Sequence, residues 1–317
     1  MANSEIYKII NDFLPDKIFD AHMHLYDKDY MVGDSESYTL ERYYEEVAKT
    51  FKNREVSANI IPYPTRKIVL EGEEVLKFTD KVLYDELNKD SKNVGEILVM
   101  PFESEDSILS RVKNNQIVGF KPYHLLNKSE ITMYLDVEEY LPESAFSLAN
   151  KYNKVITLHL VKDKSLSDEK NLNYVINMAK KYPNAILILA HSARSFASWT
   201  GVESVDKIKH LDNVWFDLSA VCESPATFQI IKKCGVSRVM WGSDYPISNI
   251  VGKAISLADK FYWIDENTNP EIAKSVELFS VLEENILAVR QAAIMLELNC
   301  KDIEDIFYNN AKNLFKK

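Results

Sequence analysis

The sequence predicts an α/β protein, a (β/α)₈ TIM barrel with additional C-terminal helices. Three observations carry this reading. Eight short apolar runs recur along the chain, helix-like segments separate them, and five of the six histidines fall at the C-terminal ends of those runs.

The runs are IFDAHMHL (18–25), EVSANIIPY (55–63), EILVMPFE (96–103), IVGFKPY (117–123), KVITLHLV (154–161), AILILAHSA (185–193), NVWFDLSAV (213–221) and RVMWGSDYP (238–246). They are rich in β-branched residues and apolar on both faces, as strands of a buried parallel sheet are. Between them, 38–53, 73–90, 107–115, 137–153, 168–183 and 225–235 carry apolar residues at helical spacing. The last of these ends on Gly235, a C-cap signal. Strands and helices alternating over about 230 residues match a closed barrel better than an open doubly wound sheet. The tail from about 270 to 316 reads as helix and supplies the eighth helix and one more. No low-complexity linker divides the chain, so 1–317 is expected to be a single domain, with barrel strands over about 18–246.

Composition narrows the function. Eight glycines in 317 residues, no two within six of each other, rule out a P-loop and a dinucleotide fingerprint. The chain has 38 basic and 48 acidic residues, a net charge of −10. That disfavours nucleic acid and anionic membrane surfaces as partners. No apolar run approaches the ~18 residues of a membrane span, and the opening stretch has no apolar leader, so a cytoplasmic protein is expected. Cys222, Cys234 and Cys300 have no CxxC spacing. They are read as inert thiols rather than a disulfide framework or a thiolate zinc site.

The histidines point to a metal. Side chains alternate along a strand, so His22 and His24 share a face, with Asp20 below them and Ala21 and Met23 toward the helices. Two imidazoles at adjacent same-face positions can grip one ion. Asp244 ends the eighth strand, which neighbours the first in a closed barrel, so its carboxylate is expected beside the pair. His159 completes an N₃O set with an open position, suited to one divalent ion such as Zn²⁺. His191, one strand further, is either a ligand to a second metal or an acid/base group.

With HMH after the first strand, histidines ending the fifth and sixth, and GSDYP ending the eighth, the chain resembles the amidohydrolase superfamily. GFK on the fourth strand and YNNAKNLF near the C-terminus are similar to its amidohydrolase-related branch, which includes aminocarboxymuconate semialdehyde decarboxylase, lactonases and hydratases. The resemblance covers roughly residues 18–315. It implies a metal-dependent enzyme acting on small carboxylated or cyclic molecules, with His22, His24, His159 and Asp244 as ligands and His191 as acid/base or polariser of water. It also implies a mononuclear site, in which Lys121 stays uncarbamylated and holds a substrate anion or a structural partner. Two departures stand out. AHSARSF lacks the glycine that commonly follows the sixth-strand histidine, and KPYH adds His124. Strand alternation points His124 away from Lys121 unless Pro122 breaks the strand.

Arg66 and Arg194 follow the second and sixth strands and are candidates for holding a substrate carboxylate, which an arginine grips bidentately. Asp217 is read as a support behind the ligands. The expected mechanism is metal activation of water, with Asp244 taking its proton, His191 relaying it, and an ester, lactone or amide carbon attacked. A decarboxylase or hydratase on the same ligands is the alternative, and a noncatalytic metal- or ligand-binding barrel the rival from another class. The expected partner is a small carboxylated substrate, and a homodimer is left open.

Overall fold

A computed structural model describes residues 2–30, 36–63, 72–127, 129, 132–258 and 260–316. Eight parallel strands follow one another round a single sheet: β1 (Lys17–Leu25), β2 (Glu55–Pro62), β3 (Val94–Val99), β4 (Ile117–Pro122), β5 (Val155–Leu158), β6 (Ile186–Leu189), β7 (Val214–Asp217) and β8 (Val239–Met240). The sheet closes through backbone hydrogen bonds beyond the short β8. Ala21 N donates to Trp241 O (3.0 Å), Asp244 N to His22 O (2.8 Å) and His24 N to Tyr245 O (2.8 Å). The result is the expected (β/α)₈ barrel, with its helices outside and its C-terminal helices at one end.

Most expected helices are present, including Leu40–Phe51, Glu73–Leu87, Glu169–Lys181 and Ser224–Cys234. Thr39 and Asp168 cap the first and third of these by accepting bonds from backbone N–H groups in the first turn. Three elements were not anticipated: a first helix Ala2–Phe13, a helix Trp199–Ile208 between β6 and β7, and an antiparallel hairpin of β9 (Gly252–Leu257) and β10 (Lys260–Asp265). The tail is also less continuous than expected. A short turn, Pro270–Ala273, precedes Val281–Met295, and Cys300–Phe315 contains a π-helical turn at Asp305–Asn309. That turn takes part in closure, because the Ile306 carbonyl accepts from Trp241 N (2.8 Å).

The expected facing along β1 is corrected in its lower half. The register against β2 shifts between Asp20 and Met23, so one strand presents two phases. Below the shift, Phe19 and Ala21 join a cluster with Val94, Val155, Ile188 and Met240, plugged by Tyr308, Leu314 and Phe315 of the last helix. Above it, Met23 and Leu25 pack with Leu40, Tyr43 and Val47 of the outer layer. Asp20 therefore does not lie below the histidines. Its carboxylate accepts from the Tyr43 hydroxyl (2.8 Å) on the helix side and from Ser243 N (2.8 Å). Strict alternation missed this because a bulge adds a residue without adding a pleat.

Close approach of β4 and β5 depends on Gly119. A Cβ there would stand 2.4 Å from both the carbonyl oxygen and Cγ2 of Val155. Gly119→Ala is expected to destabilise the barrel by about 1–3 kcal/mol through overpacking, read as a lowered urea midpoint with unchanged m-value.

Candidate metal centre and active site

The C-terminal ends of the strands enclose a cavity of about 150 Å³ lined by His22, His24, Tyr63, Lys121, Tyr123, His124, Leu125, His159, His191, Phe196, Asp244 and Ile247. It shares five of these residues with an outer vestibule of about 530 Å³, which Met133 and Arg194 complete. A larger cavity, about 790 Å³, lies at the other end of the molecule between the first helix and the C-terminal helices. None of the histidines lines it.

Two triplets of buried donors have their atoms within 4.8 Å of one another among the described residues: His22, His24 and Asp244, and His22, His191 and Asp217. In the first, His22 Nε2 and His24 Nε2 are 3.1 Å apart, and Asp244 Oδ1 is 3.1 Å from His24 Nε2 and 3.8 Å from His22 Nε2. The other nitrogen of each imidazole is already used. His22 Nδ1 meets Asp217 Oδ2 at 3.0 Å and His24 Nδ1 meets the Ile61 carbonyl at 3.2 Å. Acceptors on Nδ1 fix both rings in the tautomer that leaves an Nε2 lone pair facing the cavity.

Asp217 organises the wall behind. Its Oδ1 accepts from His191 N (3.0 Å) and from both the backbone N–H (3.1 Å) and the hydroxyl of Ser219. Burial pushes its pKa up, but the His22 ring and the hydrogen bonds from His22 and Ser219 overrule it and hold the carboxyl below the usual range. Burial, reinforced by the nearby Lys121 charge, pulls His22 down to about 4, against the opposing pull of Asp217. Burial also lowers His24, His159 and His191. The four imidazoles are thus neutral at pH 7, the state a ligand or a proton acceptor needs.

Each predicted residue can now be placed. His22, His24 and Asp244 converge. His159 lines the same cavity, its ring centroid 5.0 Å from that of His191 and 5.7 Å from that of His124, but it belongs to neither triplet. Lys121 is buried, with Nζ 3.4 Å from His22 Nε2, and burial lowers its pKa. His124 does face the cavity, because β4 ends at Pro122 and a 3₁₀ turn begins at His124. Arg194 lines the vestibule. It donates to the Lys162 carbonyl (3.0 Å) and lies over the Phe261 ring (5.6 Å); among the described residues it forms no ion pair, although the charge of Asp163 acts on it. Arg66 lies outside the described residues.

Sequence reasoning missed several neighbours. Tyr123, whose hydroxyl is 3.1 Å from His24 Nδ1, has the strand parity of Lys121, a signal that could have found it. Ser219 sits behind His191, with its carbonyl 3.1 Å and its hydroxyl 2.9 Å from Nδ1. Glu96, an isolated acid in an apolar run, was a readable signal. It is fully buried, and it accepts from Asn59 (2.7 Å) and Thr157 (2.6 Å). The hairpin was also unforeseen. Phe261 and Trp263 of β10 pack on Phe196, which lines the vestibule, at centroid distances of 5.2 and 6.1 Å.

The backbone after β6 is unusual. His191, Ser192, Ala193 and Arg194 have φ of 54°, 54°, 61° and 57°, four consecutive left-handed residues without a glycine. Ser195 N closes the turn on the His191 carbonyl (2.8 Å). Left-handed residues other than glycine cost about 1–2 kcal/mol each and normally occur singly.

Fold and site together define a class: a closed (β/α)₈ barrel that gathers histidines and an aspartate at the C-terminal ends of its strands. The chain belongs to the amidohydrolase family, whose sequence profile matches residues 19–317. No curated protein matches it. Solved structures share the fold at low identity. An amidohydrolase from Burkholderia multivorans with bound zinc has a TM-score of 0.61 at 11% identity, over 94% of this chain and 99% of that one. A probable 2-pyrone-4,6-dicarboxylic acid hydrolase from Acinetobacter baumannii with citric acid bound has 0.59 at 14%, over 95% and 99%. The 5-carboxyvanillate decarboxylase from Sphingomonas paucimobilis has 0.53 at 11%, also over 95% and 99%. Among the described residues, no helix is long and apolar enough to cross a membrane.

Asp217→Ala would leave the buried N–H groups of His191 and Ser219 and the His22 Nδ1–H without their acceptor. A stability loss on the order of 3 kcal/mol is expected, measured by denaturant unfolding, with Asp217→Asn losing less.

Proposed function

We propose that this chain is a metal-dependent hydrolase that opens an ester, lactone or amide of a small carboxylated substrate. The observation that carries this reading is the convergence of His22 Nε2, His24 Nε2 and Asp244 Oδ1 with the far nitrogens of both rings already engaged. Family membership and the zinc in a structural neighbour support it.

The donor set fits a divalent ion. Ligands about 2.0–2.1 Å from a tetrahedral ion stand roughly 3.3 Å from one another, and the three separations here are 3.1, 3.1 and 3.8 Å. In this proposal one ion, Zn²⁺ by the N/O chemistry of the set, is held by His22, His24 and Asp244, with His159 as a further donor from the β5 side. When bound, the ion would supply Lewis acidity and acidify a water molecule.

The chain's own groups do the rest. Asp244 accepts the proton from the attacking water. The Ser219 carbonyl can only accept a hydrogen bond, so His191 donates through Nδ1 and receives or returns a proton at Nε2. Arg194, buried and in no ion pair among the described residues, holds the substrate carboxylate, with His124 and Lys121 on the same wall. Arg66 is proposed for the same task on sequence alone. Lys121 stays an uncarbamylated amine. The chain is proposed to act as a single domain in the cytoplasm, on a small molecule rather than nucleic acid or membrane, and a homodimer is compatible with this.

Elemental analysis of protein purified without chelator tests the reading. One divalent ion per chain is expected, and a folded protein that binds none would overturn it. His22→Ala should lose the ion. Asp244→Asn should retain more of it through the three imidazoles while turnover falls about 10²–10⁴-fold, the usual effect of removing a general base. Assays over small carboxylated lactones and esters should give ring-opened or cleaved acids. Release of CO₂ from an aromatic or unsaturated acid instead would assign the alternative, a decarboxylase.

A further inference from the structure

Ser192 combines two unfavourable features. It is the second residue of the left-handed turn, at φ 54°, ψ 45°. It is also fully buried, and its hydroxyl has no hydrogen-bond partner among the described residues. A glycine would remove both, since it adopts this backbone freely and carries no hydroxyl. The residue does not line the cavity, so its side chain does not meet a substrate there.

What the turn does is visible from its ends. His191 lines the inner cavity and Arg194 the vestibule, and both belong to the same four-residue turn. The turn is clamped from outside. The Asp217 carboxylate takes the His191 N–H, the Ser165 hydroxyl donates to the Ala193 carbonyl and the Ser195 hydroxyl to the Ser192 carbonyl. Gly201 makes room for the third clamp, because a Cβ there would stand 2.4 Å from Ser195 Oγ. Each clamp fixes backbone, and none restrains Ser192 through its own side chain. A Cβ at Ser192 narrows the conformations open to one of the two residues that link His191 to Arg194, where a glycine would widen them. Backbone strain persists where the surroundings over-determine it, and it concentrates at functional sites.

We infer that Ser192 is a positioning residue: its Cβ stiffens the left-handed turn and so fixes His191 of the inner cavity relative to Arg194 of the vestibule, at the expense of fold stability. The inference rests on the proposed roles of His191 and Arg194, but its test needs neither metal nor substrate.

The test compares wild type, Ser192→Ala and Ser192→Gly by thermal unfolding and by NMR of the ring nitrogens in ¹⁵N-histidine-labelled protein. The His191 signals are assigned by their loss in His191→Asn. Ser192→Ala, which keeps the Cβ and removes the hydroxyl, should raise the thermal midpoint and keep a single sharp set of His191 signals. Ser192→Gly should raise the midpoint further, by about 2–4 °C in total, and broaden or double the His191 set while His210 is unchanged. A lowered midpoint in Ser192→Gly, including failure to fold, would overturn the inference, and so would a His191 set as sharp as that of wild type. The metal stoichiometry of wild type, measured separately, decides the metal-dependent reading and leaves these two readouts intact.

Discussion

The structure depends on the seam where the eighth strand meets the first. β8 is two residues long, too short to close a barrel by strand pairing alone. Closure is made instead by the segment after it, through Trp241 O, Asp244 N and Tyr245 O bonded to Ala21, His22 and His24. Asp20 ties the same seam from the helix side. One carboxylate oxygen accepts from His22 N (3.1 Å) and Ser243 N (2.8 Å), the other from the Tyr43 hydroxyl. The hydrogen bonds that close the sheet are therefore the ones that set His22, His24 and Asp244 side by side. Fold and site share one set of contacts here, and a change that loosens the seam disturbs both.

The site's electrostatics run against those of the molecule. The chain carries a net charge of −10, yet the described lining of the vestibule has an arginine and two histidines and no acid. Asp244 lines the inner cavity, and two further acids stand behind its wall. Asp217 is spent on His22, His191 and Ser219, and Glu96 on Asn59 and Thr157. The charge of Asp163 acts on Arg194 from nearby, but with no acid in the described lining itself the approach to the cavity can attract an anion despite the global charge.

Stability and site geometry are in tension along the β6 loop. The outer layer and the plug of the last helix bury large apolar side chains, while the loop carries four consecutive left-handed residues, the first facing the inner cavity and the last the vestibule. A barrel can support such a segment because its sheet and helices are over-determined by packing, and the loops above them are free to be locally unfavourable.

Much of this was legible in the sequence. Alternation of apolar runs with helical segments reveals a barrel because each run must be buried on both faces, and a histidine at the end of a run is placed by the fold itself. Local chemistry thus determined the strand order, the HxH pair on one face and the meeting with Asp244 once closure is granted. The facing of Asp20 and Ala21, the inward turn of His124, the distance of His159 from the donor triplet and the left-handed turn at His191 were settled only in three dimensions. The physical reason is the same in each case. Period-two and period-3.6 patterns describe regular backbone, whereas a bulge, a strand ended by proline, a side chain's reach across a cavity and a chain of positive φ angles depend on contacts with residues distant in sequence. Asp217 shows the division most plainly. From sequence it reads as a support behind the ligands, with no sign of which groups it serves. Only the closed barrel, which brings β1, β6 and β7 around it, makes it the acceptor on which two histidines depend.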